Sequence, residues 1–119
     1  MRYLCLVYFE PHIFDRMTGE EQIKLDRDSL GYDQELRDRG HYIHSNALQM
    51  VDKAVTVRVR DGKMSSTDGP FAETKEHLGG FILIEAADTE EAKHIAAGIP
   101  LAKLGSIEVR PIYDIPTRE

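Results

Sequence analysis

The sequence predicts an α+β domain: a split βαβ (ferredoxin-like) sheet carrying an inserted β-hairpin. Three observations lead there. Residues 3–9 and 81–86 are the two most continuously apolar short runs, as expected of strands buried on both faces. Thr18 with Glu21, and Asp88 with Glu91, have the spacing of helix-opening capping boxes. Asp61-Gly62 stands between two extended segments and reads as a tight hairpin turn. The resulting order is strand, helix, strand, hairpin, strand, helix, strand. Without the hairpin this is a pair of split βαβ units. In that topology the first and third core strands lie mid-sheet, which suits the two most apolar runs.

Each element has its own local reason. The stretch MRYLCLVYF lacks the small-residue cleavage site of a signal peptide, so it is read as the first strand. The first helix begins near residue 19. Leu25, Ser29, Tyr32 and Leu36 keep helical spacing and form its inner stripe. Gly31 costs that helix about 1 kcal/mol relative to Ala without ending it. Gly40 ends it as a left-handed C-terminal cap. Residues 42–50 are extended. VTVRVR, 55–60, alternates strictly, which predicts one buried and one wet face, and it returns through 63–67. In the second helix Ala92, Ile95 and Ala96 face inward, and Gly98-Ile99-Pro100 stops it. SIEVRPIYDI is the last strand, confined to an edge by Pro111.

The 119 residues fit one domain, 1–119, long enough for a core without disulfides or metals. A net charge of −6 disfavours nucleic acid and anionic membrane surfaces as direct partners. No apolar run approaches the roughly 18 residues that span a bilayer. One cysteine, Cys5, inside an apolar strand, fits a reducing cytoplasm.

Two helices cover one face of such a sheet. The first strand is apolar on both faces: Tyr3, Cys5, Val7 and Phe9 alternate with Leu4, Leu6 and Tyr8. The second face therefore needs a cover. A second copy packed sheet to sheet supplies one. Residues 54–67 folded across that face are the alternative.

The stretch TDGPFAETKEHLGGF, 67–81, fits ordinary packing least well. Proline fixes its own φ and pushes Gly69 toward an extended backbone. Asp68 has two readings. It accepts backbone N–H groups and locks the turn, or it reaches a cleft as a general acid or base. Phe71 plugs the core or stacks on a ligand. Glu73, Thr74, Lys75 and Glu76 bind a polar ligand or form a solvated turn. His77 is the histidine placed to exchange a proton with Asp68. Gly79-Gly80 fits a bulge or a close backbone approach. It lacks the lysine pattern and following helix of a phosphate loop. The histidines at 12, 41, 44, 77 and 94 show no converging pattern, so neither metal nor cofactor is expected.

This motif, followed by IPLAKLGSIEVRPI, resembles the DGPF-domain proteins of the YCII-related superfamily over nearly the whole chain. The resemblance implies a dimeric α+β barrel of ferredoxin-like type. It also implies genes lying beside extracytoplasmic-function sigma factors, and thus a sigma-factor partner for a regulatory role. Related YCII proteins carry a His–Asp pair in a cleft, and a distant relative takes part in dehalogenating a chlorinated aromatic. Asp68 corresponds best to the aspartate. The histidine expected in the first helix is absent, since residues 19–39 contain none. The resemblance thus implies a homodimeric enzyme-like or small-molecule-binding protein with Asp68 as acid or base, and His77, beside the motif in the sequence, is the partner expected for it. Phe71, Glu73, Thr74 and Lys75 would then contact the ligand. A non-catalytic accessory of a sigma factor is the second reading.

Overall fold

A computed structural model describes residues 1–117. Its main sheet holds β1 (Arg2–Phe9), β2 (Tyr42–Ala47), β5 (His77–Glu85) and β6 (Ser106–Pro111). The spatial order is β2-β5-β1-β6, antiparallel throughout. β1 and β5 take the centre and β6 an edge, as their composition predicts. A separate two-stranded sheet is formed by β3 (Val55–Arg60) and β4 (Lys63–Asp68). Helices α1 (Gly19–Asp38) and α2 (Thr89–Ala97) supply the split crossovers.

The helix ends form as their residues dictate. Thr18 accepts the Glu21 N–H, and the Glu21 carboxylate accepts the Thr18 N–H. We expect Thr18→Ala to cost about 1 kcal/mol, read as a lower midpoint in urea unfolding. At the other end Gly40 has φ +80°, while His41 N–H reaches Leu36 C=O and Gly40 N–H reaches Arg37 C=O. This is a Schellman closure, which needs a residue tolerant of positive φ. Asp88 caps α2 by accepting the Glu91 N–H, but the Glu91 carboxylate reaches the N–H of Ala87, not that of Asp88.

Tyr3, Cys5, Val7 and Phe9 of β1 are buried with Ile82, Ile84 and Ala86 beyond β5, under Leu36 of α1 and Ala92, Ile95 and Ala96 of α2. The opposite face of the sheet is also apolar at its centre. Leu4 pairs with Leu83 and Leu6 with Phe81, all of them partly exposed. Polar groups flank them: Arg110 and Glu108 on β6, His44 and Asn46 on β2.

Several expectations are corrected. The last strand stops at Pro111, short of residue 115, and β2 stops at Ala47. β5 begins at His77, so Gly79 and Gly80 lie inside it. Neither face of β3 is buried: Val55, Val57 and Val59 are all well exposed. Alternation marks a face suited to burial, and among the described residues nothing covers it. The hairpin does not fold across the main sheet. It stands out as an arm, and the molecule is a plate of 47 × 46 × 18 Å. Its radius of gyration is 16.6 Å, against about 13–14 Å for a closed-up chain of this length.

Candidate functional site

The packing of α1 tapers toward its N-terminus. Leu36 is fully buried, Tyr32 and Leu25 are half-buried, and Ser29 between them is too short to reach the sheet. Below Ser29 the sheet offers little, because Gly79 and Gly80 contribute only backbone. Both glycines are required there. A Cβ on Gly79 would lie 2.0 Å from the Phe9 ring, and one on Gly80 would lie 2.9 Å from the Asn46 carbonyl. Gly79 is also the extra residue of a bulge, since Val7 pairs with Gly80 and Tyr8 with Leu78. The short stripe above and the bare strand below leave a cleft of about 320 Å³ between α1, β2 and β5.

The lining is mostly apolar, with Val7, Phe9, Phe14 and Leu101 among its walls. Its polar groups come from one helix face and one strand: Asp26, Ser29 and Asp33, with Ser45 opposite. Ser45 Oγ donates to Asp33 Oδ2 at 3.2 Å. A serine hydroxyl has one proton, so the Tyr42 hydroxyl, 2.7 Å from Ser45 Oγ, donates to it in turn. The Arg37 guanidinium covers the Tyr42 ring at 4.1 Å. Tyr32 spends its hydroxyl on the Ile95 carbonyl at 2.6 Å, tying α1 to α2. Burial, with the Glu35 charge adding to it, raises the Tyr32 pKa and keeps that phenol a donor. Asp33 is thus a carboxylate oriented by a hydroxyl relay, with acceptor capacity left for a guest. Among the described residues, no Lys, Arg or His lines this cleft. It can receive N–H and O–H donors beside an apolar surface.

A second hollow, about 420 Å³, lies between the C-terminal end of α1 and α2. Its acids Asp88 and Glu91 are engaged in capping α2, and Arg39 and His94 complete its polar lining.

The DGPF corner sits elsewhere. Asp68 ends β4, exposed, paired with Val55, on the same face as Val57, Val59 and Met64. Gly69 has φ +103°, which favours glycine, and its N–H and C=O are held by Ala54 C=O and the Thr56 hydroxyl. The turn is therefore locked by Gly69 and Thr56. Among the described residues the Asp68 side chain makes no hydrogen bond. Phe71 is 77% exposed, correcting its expected place in the core, and it lies 5.4 Å from the Arg58 guanidinium. Thr74 donates to the Glu76 carbonyl at 2.6 Å, and Glu76 accepts from Ser106 at 2.7 Å. Glu73 and Lys75 are exposed. His77 is half-buried at the start of β5, paired with Phe9. No hydrogen bond joins it to Asp68 among the described residues. Among the described residues no hydrogen bond or ion pair joins any two of Asp68, Phe71, Glu73, Thr74, Lys75 and His77. Sequence reasoning passed over Asp26, Asp33 and Ser45. The available signal was the i, i+3, i+7 spacing of Asp26, Ser29 and Asp33 beside the apolar stripe.

Comparison with known proteins agrees with this architecture. The family model described as YCII-related domain matches residues 1–116. An uncharacterized protein of Rhizobium meliloti (strain 1021) is 34% identical over 114 residues, covering 94% of this chain and 92% of its own.

Proposed function

Since this chain belongs to the YCII-related domain family, we propose that it is an enzyme-like, small-molecule-binding homodimer whose site is the cleft under α1. The observation that carries the reading is the Ser45-oriented carboxylate of Asp33 in a mostly apolar cleft of about 320 Å³. Polar groups placed beside an apolar wall fix the orientation of a small guest. With Asp26 and Asp33 at the lining and no cation among its residues, the guest is a neutral or cationic molecule. It brings an N–H or O–H donor and an aromatic or aliphatic body. If chemistry follows, Asp33 is the group able to take a proton from that donor.

The dimer reading rests on the outer sheet face. An apolar centre of Leu4, Leu6, Phe81 and Leu83 within a polar rim has the anatomy of an interface. Packing two such faces gives the dimeric α+β barrel. In that barrel the Asp68–His77 corner, with Phe71, Glu73, Thr74 and Lys75, would complete a site from parts that one protomer holds apart. A regulatory role beside a sigma factor is the second reading, favoured by the exposed apolar arm.

The test is NMR titration of the labelled protein with a panel of aromatic amines, phenols and carboxylic acids. Amines or phenols should shift amides around Ser29, Asp33 and Ser45, while acids leave them unmoved. Asp33→Asn should weaken that binding about tenfold, as losing a hydrogen bond to a charged group does. Shifts confined to residues 68–77 would move the site to the DGPF corner. Tight binding of acids in the cleft would overturn the reading.

A further inference from the structure

We propose that the β3–β4 arm is exchanged between protomers. Its valine face closes against the margin of the partner's outer sheet face and places Asp68 on the partner. This rests on the homodimer read above and adds to it the element that grips the second copy.

The arm cannot be explained within one protomer. A lone two-stranded hairpin is marginal in water and needs a third strand or a packing surface. Here β3 and β4 pair only with each other. One face of the arm gathers Val55, Val57, Val59 and Met64, each 57–71% exposed. The other face holds Thr56, Arg58 and Arg60 opposite Thr67, Ser65 and Lys63. The strict alternation therefore prepares the valine face, and not the basic one, for burial. Among the described residues, the Leu4–Leu6–Phe81–Leu83 centre of the main sheet is an apolar surface of matching character left partly exposed. Two such surfaces on one plate-shaped chain are satisfied together by a symmetric pair of copies.

The charges agree. Asp68 lies on the valine face of the arm, opposite Val55, and its carboxylate makes no ion pair among the described residues. The rim of the outer sheet face carries Arg110, whose exposed guanidinium lies 3.8 Å from Glu108 and keeps donors for a second carboxylate, and His44, whose Nε2 meets the Asn46 amide at 2.8 Å. A carboxylate left beside valines in a docked arm needs such a partner. The DGPF turn then serves the neighbouring subunit. Gly69, held by Ala54 and Thr56, fixes how the arm leaves the body, and this sets where Asp68 arrives.

The full-length chain tests this by sedimentation equilibrium and by hydrogen exchange at several protein concentrations. Val57→Glu removes no core contact, since Val57 is exposed in the protomer. We expect it to raise the dimer dissociation constant at least tenfold, while Val57→Thr, which keeps the branched side chain, raises it less. In the wild type, β3–β4 amides should be protected in the dimer and lose protection on dilution to monomer. If the dimer tolerates Val57→Glu and the arm amides exchange freely, arm exchange is wrong and the dimer stands. Arm amides protected equally in the monomer would also overturn it. A chain that stays monomeric at every concentration overturns both.

Discussion

A Leu36→Ala variant should lose about 2–5 kcal/mol of unfolding free energy, read as a lower urea midpoint at unchanged slope. Leu36 is the one residue of α1 that is wholly buried, and it sits among the core residues of β1 and β5. Most of the twenty-residue helix faces solvent; Ile23 and Leu30 are 59% and 70% exposed. Its grip on the rest of the fold thus depends on a few groups: Leu36, the Tyr32 hydroxyl on Ile95 of α2, and Ser45 of β2 on Asp33. Removing Leu36 takes away apolar burial and leaves a void that a rigid sheet cannot close. Leu36 does not line the cleft. Ligand affinity, measured where the variant is still folded, should therefore change by less than threefold. A loss below about 1 kcal/mol would mean that capping and propensity hold α1 without its stripe.

Alkaline pH should destabilise the protein through Cys5. The thiol has no exposed surface, and burial pushes its pKa up from 9.0 to about 11. The unfolded chain releases that proton near pH 9, whereas the folded chain holds it until about pH 11. Between those values the unfolded state binds fewer protons, so stability falls as pH rises. The contribution is fully present below pH 9 and is lost through about pH 11, a fall of about 2–3 kcal/mol for a shift of this size. Tyr32, raised in the same direction, adds to the fall above its ordinary range. The separating measurement is urea unfolding at pH 8, 9 and 10.5 for wild type and Cys5→Ala. The variant should start less stable but decline less steeply over that window. Parallel declines would assign the alkaline loss to tyrosines alone.

Much of the fold was legible because its causes are local. Thr18, Glu21 and Asp88 act within one turn, Gly40 acts through its own φ, and Asp61-Gly62 closes a hairpin of neighbours. The two continuous apolar runs announce the central strands because only a strand covered on both sides uses such runs. The sheet order follows from where those runs fall in the chain.

The site was less legible because it depends on what is missing at a distance. The cleft exists because Ser29 is short where Gly79 and Gly80 are bare, and those residues are fifty positions apart. Asp33 gains its orientation from Ser45, on an element that helical periodicity cannot see. The DGPF string drew attention by composition, yet Phe71 is out in solvent, beside the Arg58 guanidinium, and Asp68 rides on an arm. Alternation in 55–60 marked a face fit for burial without saying against what. Local residue chemistry set the caps, the turn and the central strands, and the motifs carried the family. Packing in three dimensions set which polar groups meet and which apolar faces stay uncovered. Those outcomes depend on the gaps and distances between packed elements, which a pattern along one strand or helix does not encode.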